Sequence, residues 1–359
     1  MSELSHRERV LLALEHRETD RVPIAMVCAG INPPARRELK RRLARERGMT
    51  VEEFLQPFID IKSVSPPYVG PSLPPRTDIW GVRRTPISYG AGEYNEIVFY
   101  PLAEAKTVED LNRHRWPSPN WFDYEALPDL IAEIQRGEPY CLITANGNIF
   151  ETSWYMRGFQ RIFEDMVLRP ELVHAIMGRV CDFYVEYFRR ILTAARGQID
   201  LVFTADDIGS QKGLLMSLDM WAEFIKPYHE QLNRTIHQFG ARVIYHSDGA
   251  VMDAVPGLID MGIDVLQALQ FDADGMDPVA LKQNYGDRLC FEGGISVQRT
   301  LPFGTVEDVR REVRERIAVL ASGGGYILGP SHAIQAGTPT ENIVAMFETA
   351  AAEPMPSQK

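Results

Sequence analysis

From residue 140 onward the sequence alternates short β-rich runs with longer helical patterns, and few architectures accommodate that rhythm. Repeated βα units make successive strands parallel, because each helix carries the chain back to the starting end of the sheet. Six strands are predicted, at 140–146, 200–207, 242–248, 264–270, 289–295 and 326–332. Between them, apolar residues recur at the three- and four-residue spacing of amphipathic helices over 169–196, 218–239, 278–285, 306–321 and 338–352. Gly240, Gly262 and Gly286 stand where helices should stop, and Thr305 and Thr338 where they should start. Two further strands, at 21–27 and 58–65, bring the count to the eight that close a barrel. No GxGxxG turn follows the first strand, which argues against an open doubly wound sheet. The expected fold class is therefore α/β, a TIM (β/α)8 barrel.

Such a barrel needs about 250 residues, and a chain of 359 leaves room for an insertion. Residues 66–123 break the rhythm: Pro66, Pro67, Pro71, Pro74 and Pro75 lead into IWGVRRTP and NEIVFYPL, the pattern of a short hairpin. This segment reads as an insertion after the second strand, within a single domain spanning 1–359, on the side of the barrel where βα loops build active sites.

A hydrophobic fraction of 45% supplies a sizeable core, and a net charge of −11 argues against a phosphate backbone as partner. The Arg-rich stretches 36–47 and 310–316 are interleaved with Glu and read as solvated helix faces. No apolar run approaches the ~18 residues of a membrane span, and the polar start MSELSHRERV lacks a hydrophobic leader core; no membrane contact and a cytoplasmic location are expected. Cys28, Cys141, Cys181 and Cys290 are widely spaced and read as reduced core residues. With no CxxC pair, metal ligands are sought among His, Asp and Glu.

Residues two apart on a strand share a face, so His246 and Asp248 of YHSDG point together from the C-terminal end of the fifth strand. The same alternation places Tyr326, Leu328, Pro330 and His332 on one face of the eighth, with His332 at its tip. Two imidazoles and a carboxylate then converge at the mouth. Such a set suits a divalent cation, zinc first, with iron(II) or no metal as alternatives; the same residues are equally suited to lining a substrate pocket. Asp206 and Asp207 close the fourth strand, and only one of the two can face the axis. They are candidates for catalytic acid and base, or for a helix cap. ANGNIFE offers Asn146, Asn148 and Glu151 as substrate contacts at a turn whose N–H groups can cradle an anion. GGIS at the seventh strand end, flanked by Glu292 and Gln298, can bring backbone close to a ligand, whereas SGGGY precedes its strand and reads as structural. The aromatic residues of SWYMRGF and VFY read as packing.

The segments RERVLLALEHRETDRVPI, GNIFETSWYMRGFQRIFEDM, MGIDVLQALQ, GGISVQRTLPFGTVEDV and TPTENI together resemble the uroporphyrinogen decarboxylase superfamily, which also holds cobalamin-dependent methyltransferases and the catalytic half of cobalamin-independent methionine synthase. The resemblance covers most of the chain and implies a TIM barrel with its site at the C-terminal mouth. Porphyrinogen decarboxylases carry an RQAGRY-like segment after the first strand; this chain has MVCAGINPPARRE instead. In the methyltransferase branch a His-x-Cys pair after the fifth strand and a Cys after the eighth hold zinc. His246 matches that His, Asp248 takes the first Cys position and His332 the second, which implies a harder site without sulfur.

The leading expectation is a metal-assisted methyltransferase-like enzyme acting on a small methylated substrate, with a corrinoid protein or a thiol as partner. His246, Asp248 and His332 would hold the metal, Asp206 or Asp207 would serve as acid or base, and Glu151 and Gln298 would contact substrate. A carboxy-lyase acting on a porphyrinogen, with Arg83, Arg84 and Arg157 as its cations, is the alternative. A non-catalytic corrinoid or tetrapyrrole binding module is the third, against which stands the absence of a DxHxxG signature. The number of chains in the assembly is open, a homodimer included.

Overall fold

The computed structural model describes residues 4–28, 30–90 and 92–356; the first three residues of the polar start lie outside it. Its strands are β1 (Ile61–Ser63), β2 (Arg83–Ser88), β3 (Glu93–Phe99), β4 (Cys141–Asn148), β5 (Leu201–Ala205), β6 (Arg242–His246), β7 (Val265–Ala268), β8 (Cys290–Ile295) and β9 (Tyr326–Pro330). Seven of them form one parallel sheet in the order β1-β4-β5-β6-β7-β8-β9. It curls until Ile24 bridges both of its edges, pairing in parallel with Ile59 on one side and Leu328 on the other. The chain is thus an α/β barrel of the TIM type.

The expected first strand, 21–27, is reduced to that bridge, and local chemistry explains why. Pro23 has no N–H to give, although its carbonyl accepts from Leu328 N. The Ile24 N–H is taken by the Asp60 carboxylate at 2.7 Å, while Ile24 O accepts from Asp60 N. Asp60 is fully buried and also meets Arg9, Arg21 and His6, each at 2.8 Å. This ion cluster closes the barrel where a regular ladder does not.

Inside the barrel lie Ile61, Ile143, Leu201, Ile244, Val265 and Ile327, with Val10 and Leu14 from the helix His6–Leu14 packed against the same core. That helix starts on a Ser5/Glu8 capping box, which satisfies donors that would otherwise be stranded at its first turn. A larger core fills the space between the outer sheet face and the surrounding helices. The long expected helix 169–196 is observed as Pro170–Ala195, whereas 218–239 is split into Leu218–Phe224 and Lys226–His237. The break falls at Ile225, and Pro227 sits in the first turn of the second piece, where a missing N–H costs nothing.

Between β1 and β4 the chain forms a hairpin, β2 paired antiparallel with β3. Its anchor is Trp80, whose ring packs against Phe183 and Tyr184 of the helix Pro170–Ala195 at 5.0 and 5.7 Å between centroids. From there the hairpin reaches the loop after β9, where the Tyr94 hydroxyl donates to Gln335. Among the described residues no helix is long and apolar enough to cross a membrane.

A candidate metal centre at the barrel mouth

The interior residues of β5 are Leu201, Phe203 and Ala205, so alternation carries Asp207 inward and Asp206 outward. On β6, Ile244 faces inward, and His246 and Asp248 follow it on the same side. The His246 Nε2 atom then stands 3.6 Å from Asp207 and 3.9 Å from Asp248. His332 Nε2 lies 3.9 Å from the other oxygen of Asp248, and the two imidazole rings are 5.9 Å apart. The expected convergence of His246, Asp248 and His332 is therefore present in space, with Asp207 added to it.

His332 arrives by a different route from the one alternation suggests. Ile327 faces the barrel interior, whereas Tyr326 and Leu328 pack outward among the helices. The expected phase of β9 is thus off by one residue. His332 still reaches the mouth because β9 ends at Pro330 and the bend after it turns the side chain inward.

A further group enters that sequence spacing did not single out. Cys28, four residues beyond the bridging Ile24, offers its Sγ to the same space: Cys28, His246 and His332 each present a ligand atom within 4.8 Å of the others. A second set, Asp207, His246 and Asp248, meets the same criterion and shares His246. The signal available in the sequence was position alone, a cysteine just past the C-terminal end of the first strand.

The surroundings orient these groups. The Nδ1 side of His246 faces the Gln267 side-chain oxygen on β7, so an N–H there leaves the Nε2 lone pair turned to the mouth. The backbone N–H of Asp248 donates to Asp207 at 2.8 Å, while one Asp248 oxygen is buried without a partner. Burial, aided by Asp207, raises the Asp248 carboxyl above the ordinary range, with both imidazoles opposing. Burial and the carboxylates of Asp248, Glu292, Asp207 and Glu151 push the Cys28 thiol up. A half-buried group of acids and a thiol beside two imidazoles is electrostatically suited to a bound cation.

Other expected site residues are distributed differently. Asp206 is fully buried and its carboxylate is consumed by structure: it accepts from Phe150 N and Glu151 N at 2.7 Å and from His229 Nε2 at 2.6 Å. It caps the helix Ile149–Arg157 and is not at the mouth, which corrects its expected role as catalytic acid or base. Glu151, in the first turn of that helix, accepts from the Tyr155 hydroxyl and the Asn148 amide, each at 2.7 Å. Burial, then Asp207 and Asp206, raise its pKa to about 7. Asn146 is exposed at the end of β4 and Gln298 on the turn after β8, and no hydrogen bond joins either to the cluster among the described residues. Glu292 is fully buried with no hydrogen-bond partner for either oxygen, and burial holds its pKa well up. It sits inside the barrel rather than on an open substrate surface. The glycines beside it serve packing: Gly293, at φ +109°, lies where any Cβ would collide with the Ala268 carbonyl.

The arginines expected of a decarboxylase are each engaged by other groups of the chain. Arg157 is 2% exposed, bound to Asp165 and to the carbonyls of Leu102 and Ala103. Arg84 pairs with Asp78 and lies over the Tyr155 ring, and the exposed Arg83 lies over Phe99. A cavity of about 610 Å³ lies within the insertion, lined by Asp78, Arg83, Arg113, His114 and Trp121 among others, and includes no member of the cluster.

Comparison with known proteins agrees with this architecture. The family model described as uroporphyrinogen decarboxylase (URO-D) matches residues 91–352. A methylated-thiol–coenzyme M methyltransferase of Methanosarcina mazei is 28% identical over 207 residues, 58% of this chain and 52% of that protein. A uroporphyrinogen decarboxylase of Crocosphaera subtropica is 24% identical over 186 residues, 51% of this chain and 48% of its own length. The chain thus spans about half the length of these curated relatives. A methylcobamide:CoM methyltransferase of Methanosarcina barkeri is 26% identical over 147 residues, 41% of this chain and 40% of that protein. Among solved structures, a methyltransferase from Methanosarcina mazei superposes with a TM-score of 0.67 at 20% identity, covering 97% of this chain and 99% of the other, a likeness of fold.

Proposed function

The chain belongs to the uroporphyrinogen decarboxylase family, and from that premise we propose that it is a metal-assisted methyltransferase acting on a small methylated substrate, with a corrinoid protein or a thiol as partner. One observation carries the reading: at the mouth His246 stands 3.6 Å from Asp207 and 3.9 Å from Asp248, His332 stands 3.9 Å from Asp248, and one buried Asp248 oxygen has no hydrogen-bond partner among the described residues. Relatives whose names pair a methylated thiol or a methylcobamide with coenzyme M support the methyl-transfer branch.

The donor set fits a divalent cation of the zinc or iron(II) kind, held by His246, His332 and Asp248 with Asp207 beside them. When bound, such a cation acts as a Lewis acid on a coordinated heteroatom. The chain's own groups do the rest. Gln267 holds His246 in the tautomer that presents Nε2. Glu151, with its pKa near neutrality, is placed by Tyr155 and Asn148 to hold a proton at the mouth. In the transfer the methyl–heteroatom bond breaks, the heteroatom keeps the bonding pair and takes that proton, and the methyl carbon bonds to the acceptor nucleophile.

The test is metal content after purification without chelator, for the wild type, His246→Ala and His332→Ala. Near-stoichiometric zinc or iron in the wild type, lost in both variants, is expected. Equal content in all three removes the metal role.

A further inference from the structure

We infer that Cys28 is a sulfur ligand of the same centre, so that the cation is held by Cys28 Sγ, His246 and His332, with Asp248 as an oxygen donor. The inference rests on the reading that this mouth binds a metal, and changes what kind of metal site it is. Sequence spacing leaves a set of nitrogen and oxygen donors; the closed barrel adds a thiolate from the opposite end of the chain.

Geometry is the first support. Zinc bonds of about 2.0–2.3 Å in a tetrahedron place ligand atoms roughly 3.3–3.6 Å apart. The Cys28, His246 and His332 ligand atoms all lie within 4.8 Å of one another, and His332 is 3.9 Å from Asp248. Cys28, His246 and His332 thus form one group, and Asp248 borders it with one oxygen 3.9 Å from His246 and the other 3.9 Å from His332.

The second support is how Cys28 is held. The loop that follows it is stitched to the loop carrying His332: Ile31 bridges Ile334, Ile334 N donates to Gly30 O, and Asn32 N donates to Ile334 O, both at 2.9 Å. The Asn32 amide also reaches the Gln335 side chain at 3.0 Å. Cys28 and His332 therefore come off adjacent staves of the barrel just before a shared run of hydrogen bonds fixes their separation. The other cysteines sit elsewhere: Cys141 and Cys290 belong to the barrel interior and Cys181 to the outer helical core.

Charge gives the third. Zinc(II) with one thiolate, two neutral imidazoles and one carboxylate is neutral overall, the state that a partly buried site tolerates best. Asp207, which accepts the Asp248 N–H, then orients Asp248 rather than adding a further negative ligand. A thiolate also biases the site toward zinc and away from magnesium or calcium.

Cobalt(II) titration of chelator-stripped protein reads this directly. Wild-type protein is expected to bind one cobalt with a near-ultraviolet sulfur-to-cobalt charge-transfer band. Cys28→Ser should lose that band and weaken zinc binding by roughly 100-fold or more, at least the loss that removing an outer-shell partner produces. Cys181→Ala, remote from the mouth, should keep both. If the wild type binds cobalt without the band, and Cys28→Ser binds zinc as tightly, the sulfur ligand is wrong while the metal reading stands. If the wild type binds neither metal, both fall. X-ray absorption at the zinc edge of the wild type avoids any folding defect of the variants: a sulfur shell near ~2.3 Å supports the inference, and a purely nitrogen and oxygen shell overturns it.

Discussion

Replacing Asp206 by alanine, compared with the same change at its neighbour Asp207, separates two carboxylates that sequence alone leaves equivalent. Asp206 is 0% exposed and accepts two backbone N–H groups at 2.7 Å and the His229 Nε2 at 2.6 Å. Each bond to an ionised acceptor contributes roughly 1.5–3 kcal/mol. Their sum overstates the effect, because the helix end at Ile149 can shift to recover part of the loss. The cost of breaking a buried charged pair, about 3–5 kcal/mol, is the better guide. The Asp207 side chain is 38% exposed and gives up one hydrogen bond, from Asp248 N, so its loss should cost about 1 kcal/mol. With a urea m-value of ~3 kcal/mol/M, Asp206→Ala should lower the unfolding midpoint by about 1 M or more, and Asp207→Ala by a few tenths. Equilibrium urea unfolding followed by far-ultraviolet circular dichroism at constant m measures both. Equal shifts, or the larger shift at Asp207, would refute the assignment of Asp206 as cap and Asp207 as mouth residue.

Asp60→Ala should cost a further ~3–5 kcal/mol by leaving Arg9 and Arg21 facing an empty buried site, yet leave metal content per folded molecule unchanged; loss of metal with stability intact would contradict the placing of this cluster away from the mouth. Gln267→Leu frees the His246 tautomer and should lower zinc affinity about 10–100-fold with little change in melting temperature; unchanged affinity in a competitive chelator titration would rule out the positioning role. Glu151 has its pKa raised from 4.5 to about 7, so the folded chain holds more protons than the unfolded one between those values. That contribution to stability is complete below about 4.5 and is lost as pH rises through about 7. Melting temperature should therefore fall less steeply across that window in Glu151→Gln, and an identical slope in both proteins would show that Glu151 does not titrate there.

Much of the barrel was legible because its signals are local. The strand cores at 140–146, 242–248 and 289–295, the helix Pro278–Tyr285 and the Pro-rich insertion all announce themselves within a few residues, through period, turn residues and breakers. So was the pairing of His246 with Asp248, since two positions on one strand always share a face. Absolute phase was not legible. In a parallel sheet with helices outside and a packed core inside, both faces of a strand are apolar. LVFTA of β5 is buried at every position and gives no hint whether Asp206 or Asp207 looks inward. The same ambiguity reversed the expected face of β9, and His332 reached the mouth only through the bend beyond it.

The βα order and the relation between residues two apart on a strand were readable in the chain alone, because both are set by local spacing. Closure determined the rest: which acid faces the axis, the reduction of the first strand to Ile24, and the meeting of Cys28 with His332 across some three hundred residues of chain. Those depend on which strand edges finally join, and a contact between the two ends of a chain leaves no periodic trace in either of them.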